Sequence, residues 1–149
     1  MAQNAQDAGS VSPELDGMVC DVIGEYLDAL AQGTDPGVVV CAEDADAHRY
    51  QAAFTDDGEE ACLEGAYKFV SNHAMGMHDE GLGKIERYAI VYNGCVDMDD
   101  GYHDAVLVSF YEHGLDSGFS AFVLYEGAGS GDGFMWSDPE PAGEETPLI

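Results

Sequence analysis

The chain has 149 residues, of which 30 are Asp or Glu and only four are Lys or Arg, and its formal net charge is −26. Because like charges repel, this balance argues against direct binding to nucleic acid or to anionic membranes. Hydrophobic residues still make up 46% of the chain, with eight Tyr and six Phe, so we expect one folded domain with an acidic surface and not a disordered acidic polymer.

The first predicted element is an amphipathic helix that follows a small, polar segment, residues 1–11, which we expect to be disordered. Ser12 is the predicted N-cap, Pro13 the first helical residue, and Glu14 places negative charge at the positive end of the helix dipole. The helix should end at Gly33. Apolar residues recur at helical spacing along it, namely Leu15, Met18, Val19, Val22, Ile23, Tyr26, Leu27 and Leu30.

A hairpin and a second helix follow. Residues 37–43 read as a strand buried on both faces, and residues 48–54 as its partner, with a turn at 44–46. Thr55 is the predicted cap of the second helix, which Gly76 should end. Its first turn is rich in acids and its apolar stripe is Leu63, Ala66, Tyr67, Val70 and Ala74.

Three more strands are predicted, after a Gly- and Met-rich loop at 75–84. They cover residues 87–92, 104–112 and 119–126. Residues 12–127 therefore form the predicted domain. Residues 128–149 are a Gly-, Pro- and acid-rich segment that could pack through Phe134 and Trp136.

This order of elements predicts an α+β domain in which two helices pack on a five-stranded, mainly antiparallel sheet. The order α-β-β-α-β-β-β resembles that of roadblock-like, longin-like and profilin-like folds, which commonly add a third helix that this sequence lacks. The resemblance concerns topology, rests on no shared motif, and implies no function.

The last two strands carry apolar residues on both faces. Leu107 alternates with Val106 and Val108, and Phe122 alternates with Ala121 and Val123. A sheet with one solvent-exposed face shows polar residues on that face. Two helices cover one face well, so we expect the second face to be covered by the segment around Trp136 or by another protein. This predicts self-association or a protein partner.

One cluster has residue types that bind metals: His73, Met75, Met77 and His78. Thioether and imidazole groups at this spacing suit a soft metal such as copper(I). The alternative reading is a helix end and loop in which Met fills gaps. The four cysteines lack the paired spacing of a zinc site and are predicted to be buried, reduced side chains. We predict no cofactor.

Other sequence motifs for metal binding or catalysis are absent or incomplete. The acidic run ending at Gly101 has its glycine at the wrong place for a calcium loop, and Val108 stands where the bidentate Glu is needed. No serine lies on a strand-to-helix elbow, so the sequence favours a non-enzymatic protein. Lys84 and Arg87 could form an anion site or, as we favour, pair with neighbouring acids such as Glu86.

The sequence thus leaves three functional hypotheses. The first is a small interaction module that self-associates, with an acidic coat adapted to a salty environment. The second is a polyanion mimic that inhibits a DNA-binding protein, which requires a band of acids on one side. The third is a metal- or small-molecule-binding domain that uses the 73–80 loop. No signal peptide or membrane span is recognisable, so we expect a cytoplasmic location.

Overall fold

The computed structural model describes residues 12–55 and 58–149. It contains two helices and seven strands in one antiparallel sheet. In chain order the elements are α1 (Pro13–Ala31), β1 (Val38–Asp44), β2 (Arg49–Phe54), α2 (Glu59–Asn72), β3 (Ile85–Met98), β4 (Gly101–Glu112), β5 (Gly118–Glu126), β6 (Met135–Trp136) and β7 (Glu140–Glu145). The α+β class is confirmed, and the predicted strand count of five is too low.

The sheet runs in the order β2-β1-β3-β4-β5, and both β6 and β7 pair with β5. The prediction missed β6 because it has two residues, and β7 because Pro141 and Gly143 interrupt any apolar alternation. The strands β3 and β4 are also longer than predicted and meet at a tight turn between Met98 and Gly101.

Helix α1 begins and ends close to its predicted limits. The Ser12 hydroxyl accepts a hydrogen bond from the N–H of Leu15 at 3.0 Å, which satisfies an otherwise free donor of the first turn. Its buried side chains are the predicted apolar stripe, apart from the half-buried Val19. Helix α2 begins at Glu59 with Gly58 as N-cap and ends at Asn72. Asp56 and Asp57, which the prediction assigns to the acid-rich first turn of this helix, lie outside the described residues, as do residues 1–11.

The two helices lie on opposite faces of the sheet, and the expectation that both would cover one face is wrong. Helix α1 packs against the face that includes Ala89, Val91 and Val108, whereas α2 packs against the face that includes Val40 and Ile90. Neighbouring residues of a strand point to opposite faces, so a strand between two helices must be apolar throughout. This arrangement explains much of the doubly apolar pattern.

The C-terminal segment contributes to both faces. Phe134 is buried with the residues under α1, whereas Trp136 is 61% exposed. On the other face, Leu148 and Ile149 pack beside α2, and the N–H of Leu148 donates a hydrogen bond to the Tyr88 hydroxyl at 3.1 Å. The face covered by α2 is therefore completed by the last residues of the chain. Phe134 and Trp136 lie on the other face, which α1 covers. No helix among the described residues has the length and apolarity needed to cross a membrane.

Candidate functional site

The strand β2 forms one edge of the sheet. Within the described residues it pairs with β1 alone, so the hydrogen-bonding groups along its outer side are open. Its six residues, Arg-Tyr-Gln-Ala-Ala-Phe, include no acid, no proline and no glycine. Of the usual features that prevent a strand from pairing with another chain, it carries no proline and one charged side chain, Arg49.

The two faces of β2 differ in how they are covered. Tyr50 and Phe54 point towards α2, where their rings lie 6.0 and 5.9 Å from that of Phe69. On the opposite face, Gln51 and Ala53 are exposed, because α1 packs over β3 and β4 and leaves the edge strand uncovered. The β2 face towards α2 is thus packed against aromatic side chains, and the β2 face towards α1 is accessible.

A groove of about 400 Å³ runs between α1 and this accessible face. Val22, Tyr26 and Ala29 form its helical wall, and Gln51 and Ala53 are among the strand residues that form the other. The lining is mostly apolar and includes one acid, Glu25. A concave, apolar surface beside an open strand edge can accept side chains of another polypeptide.

The one charge on β2 is neutralised within the molecule. The Arg49 guanidinium contacts Glu43 through Nε at 2.7 Å and through Nη2 at 2.6 Å, and its Nη1 lies 3.2 Å from Asp21. Glu43 is buried, so its charge needs this partner. The edge therefore presents little net charge in a protein whose net charge is −26.

The cation Arg87 is buried and pairs with acids far from it in sequence. Its Nη1 lies 2.9 Å from Glu43 and its Nε lies 3.3 Å from Glu112. Glu112 also accepts hydrogen bonds from the N–H and hydroxyl of Ser12, at 2.9 and 2.8 Å. The prediction named neighbouring acids such as Glu86 as partners. Arg87 does form ion pairs, but with these distant acids, and Glu86 lies 3.5 Å from His113 instead. This network joins the start of α1 to three strands, and it leaves Arg87 no role as an anion site.

The predicted metal ligands occupy the segment that follows α2. His73 is the C-cap, and its Nδ1 lies 2.8 Å from the Phe69 carbonyl oxygen, which leaves Nε2 as its available ligand atom. Met75 is 72% exposed, Met77 forms an isolated bridge with Leu82, and His78 starts a short 3₁₀ helix. The four residues lie in one short segment, and copper binding stays a prediction.

A different group, Asp44, Asp46 and His48, brings its ligand atoms within 4.8 Å of one another. Each Asp44 carboxylate oxygen already accepts two hydrogen bonds. Oδ1 accepts from the N–H groups of Asp46 and His48. Oδ2 accepts from the His48 ring and from the N–H of Gly83. A cation would compete with these donors. The group is better explained as the turn that closes the β1–β2 hairpin.

Two of the four cysteines differ from the prediction. Cys41 and Cys62 are buried, but Cys20 and Cys95 are exposed. Cys20 lies on the outer side of α1, and Cys95 lies on the part of β3 that extends beyond the helices. Cysteine alone does not indicate burial, because its small side chain is tolerated both on the outer side of a helix and on an exposed part of a strand.

Comparison with protein-family models, with curated proteins and with solved structures gives no match for this chain. Its function must therefore be argued from the geometry. The sequence contains no specific signal for the β2 edge, because acid-free runs longer than six residues also occur elsewhere, for example at residues 65–78 and 117–125. The strand's position at the edge depends on the fold.

Proposed function

We propose that this protein is a non-enzymatic interaction module that self-associates through β2, with two copies pairing their β2 strands antiparallel. The observation that supports this is the contrast between the two edges of the sheet. β2 carries no acid, whereas β7 carries Glu140, Glu144 and Glu145 together with Pro141 and Gly143. Charged side chains and proline at an edge oppose pairing with another chain. β7 has three acids and a proline, whereas β2 has no proline and one charge, Arg49, which Glu43 neutralises.

The net charge restricts where two copies can approach. Two bodies that each carry −26 repel at every acidic surface, and the repulsion falls when salt shortens the screening length. The β2 edge is free of acids and bears one cation that its own carboxylates already neutralise. It therefore offers the approach with the smallest electrostatic cost.

Antiparallel pairing of β2 with itself is compatible with twofold symmetry, in which the same surface serves both copies. The pairing would satisfy the open backbone groups and would bring the groove beside α1 of each copy close to the exposed β2 face of the other. The exposed side chains Gln51 and Ala53 would then lie at the interface. This geometry favours a closed dimer over an open chain, because β7 offers no equivalent second edge.

The test is to add an acid at the proposed interface. Ala53→Glu places a charge on the accessible face of β2, and Ala61→Glu makes the same change at an exposed position of α2. Sedimentation equilibrium at several protein concentrations should show a dimer for the parent protein. We expect Ala53→Glu to weaken dimerisation by about tenfold or more, because it adds one negative charge from each copy to an interface between two bodies that already repel each other.

The matched variant Ala61→Glu has the same net charge as Ala53→Glu, but its added charge lies on α2, away from β2. It should therefore dimerise like the parent protein within about twofold. Dimerisation should also tighten between about 0.1 M and about 1 M NaCl as the screening length falls to roughly 3 Å. A parent protein that stays monomeric at high concentration in high salt, or an Ala53→Glu variant that dimerises as well as Ala61→Glu, would refute the proposal.

The polyanion mimic receives less support from the distribution of acids. Exposed acids occur on α1 (Glu14, Asp16, Asp21), at the start of α2 (Glu59), at the β3–β4 turn (Asp99) and on β7 (Glu140). These elements lie on both faces of the sheet, at its edge and at a hairpin tip. A mimic of DNA needs a band on one side, so the interaction module is the better-supported function.

A further inference from the structure

A cavity of about 320 Å³ lies between the start of α2, the first residue of β1 and the middle of β3. Its lining includes the acids Asp35 and Glu59, the aromatic residues Phe54 and Tyr92, and the thiol-bearing Cys62. Its volume falls at the lower end of the range of small-molecule sites in proteins. The mixture of apolar walls and a few polar groups is also typical of such sites.

The Asp35 carboxylate belongs to a hydrogen-bonded network with Gly37, Tyr26, Asn93 and Tyr125. Oδ1 accepts a hydrogen bond from the N–H of Gly37 at 2.9 Å. The Tyr26 hydroxyl lies 3.2 Å from the same oxygen and 2.5 Å from the Gly37 carbonyl oxygen, which is its closer acceptor. Oδ2 accepts a hydrogen bond from the Asn93 amide at 3.2 Å, and the oxygen of that amide accepts one from the Tyr125 hydroxyl at 2.6 Å. Asp35 itself is exposed, and the hydrogen bonds from the Gly37 N–H and the Asn93 amide orient its carboxylate before any ligand binds.

No cation among the described residues neutralises this carboxylate. Arg49 and Arg87 contact Glu43, and Lys68 pairs with Glu64 at 2.9 Å on the outside of α2. The pKa of the Tyr26 hydroxyl is raised well above its usual value, first by burial and then by the negative charge of Asp35. The local potential at this end of the sheet is therefore negative.

The thiol of Cys62 is a second and independent feature of the cavity. Cys62 is 7% exposed, lines the cavity, and has no side-chain hydrogen-bond partner within residues 12–55 and 58–149. Tyr92 and Phe54 supply ring surfaces at the same cavity, and a ring face attracts a cation that lies over it. The cavity thus combines a fixed carboxylate, aromatic surface and an unpartnered buried polar group.

We infer that this cavity is a binding site for a small primary ammonium compound that carries an apolar group. The ammonium group would donate to Asp35, with Glu59 adding negative charge at the opening. The apolar group would contact Phe54 and Tyr92 and would cover the Cys62 thiol. The inference is independent of self-association, since β2 contributes only its last residue, Phe54, to this lining.

The cysteines of the chain provide a direct test. The protein is treated with methyl methanethiosulfonate, and the modification rate of each cysteine is measured by mass spectrometry with and without benzylammonium chloride. At a ligand concentration of about ten times Kd, modification of Cys62 should slow about tenfold, because it requires an empty cavity. The exposed Cys20 and Cys95 and the buried Cys41 should keep their rates.

The controls separate this site from general attraction of cations to an acidic protein. Sodium chloride at equal ionic strength and the neutral analogue benzyl alcohol should leave the Cys62 rate unchanged. Asp35→Asn should weaken protection about tenfold or more, whereas Asp116→Asn, which removes the same charge from an exposed loop, should not. Because Asp35→Asn also changes the network of Tyr26, its fold is checked by the unchanged rate at Cys41.

Three outcomes would overturn the inference. One is a Cys62 rate that benzylammonium does not change. Another is equal slowing of Cys20, Cys62 and Cys95, which would indicate non-specific binding. The third is a Cys62 that reacts no faster than Cys41 in the free protein, since the cavity would then be closed to small molecules. Neither dimerisation nor its absence would affect these readings.

Discussion

Arg87 shows how this protein uses one of its four cations at the level of a single residue. Its guanidinium lies between the buried carboxylates of Glu43 and Glu112, and both acids have a second partner, Arg49 and Ser12 respectively. Buried carboxylates are tolerated when they are paired and hydrogen-bonded. With two acids dependent on it, Arg87 matters more to stability than an exposed cation would.

Replacing Arg87 should therefore be costly. Arg87→Met leaves Glu112 buried with Ser12 as its remaining partner, and we expect the free energy of unfolding to fall by about 3–5 kcal/mol. Lys68→Met is the matched control, because it removes the same charge from an exposed pair with Glu64, and it should cost less than about 0.5 kcal/mol. Urea unfolding measures both. An equal decrease in the free energy of unfolding for both variants would show that the buried Arg87 pairs contribute no more to stability than the exposed Lys68 pair.

Asp44 gives a pH-dependent contribution to stability. Burial alone would raise its pKa, but hydrogen bonds from the N–H of Gly83, from the N–H and ring of His48, and from the N–H of Asp46 outweigh burial and lower the pKa to about 2. The pKa in the folded state lies below the ordinary value of 3.8. The stabilisation is thus fully present above about pH 4 and is lost as the pH falls through about 2.

The expected result is a difference between variants that depends on pH. Asp44→Asn should unfold more easily than the parent protein near neutral pH, because its amide cannot accept all four hydrogen bonds. The gap in free energy of unfolding should shrink between about pH 4 and about pH 2 as Asp44 becomes protonated in the parent protein. Asp116→Asn, at an exposed position, serves as the control. A gap that stays constant over this range would contradict the assignment.

At the scale of elements, the residues after β7 complete the face that α2 covers only in part. Leu148 and Ile149 pack against this face, and the main chain of Leu148 contacts both Tyr88 and the Ser71 hydroxyl, at 3.1 and 3.3 Å. Helix α2 reaches β1 and β2, so the part of the face near Tyr88 needs another cover. A short terminal segment supplies some of it.

This role predicts a measurable loss on truncating the side chain of Leu148. Because Leu148 is half-buried, Leu148→Ala should lower the free energy of unfolding by about 1 kcal/mol. That corresponds to about 2–4 °C in Tm for a chain of this size. Met135→Ala, at a side chain that is 61% exposed, should change Tm by less than about 1 °C. Thermal unfolding followed by circular dichroism checks both, and similar shifts would argue against packing by the segment.

At the scale of the whole molecule, charge and apolar surface are separated. Each helix presents acids outwards and apolar residues to its own face of the sheet, and the late strands and β7 add further exposed acids at the other edge. The result is an acidic coat with one edge, β2, that lacks acids. A coat of this kind keeps molecules apart at low salt, and the proposed pairing through β2 would give them one direction of approach when salt screens the repulsion.

Local sequence determined the elements that depend on neighbouring residues. The N-cap Ser12, the Pro13 that follows it and the helical spacing of apolar residues were sufficient to place α1, and residues with high strand propensity were sufficient to locate the five longer strands. The doubly apolar strands correctly indicated that both faces are covered. These signals are encoded within about ten residues of chain, which is why they can be read without a fold.

Tertiary structure decided which surfaces meet. An amphipathic stripe shows that a helix is buried on one side but not against which face of the sheet, so the sequence could not assign α1 and α2 to opposite faces. The partners of Arg87, 44 and 25 residues away in sequence, and the chain from Asp35 through Asn93 to Tyr125 are equally non-local. The open edge of β2 and the cavity beside Cys62 exist only because of these long-range contacts. They depend on how the strands are ordered in space, and local propensity carries no information about that order.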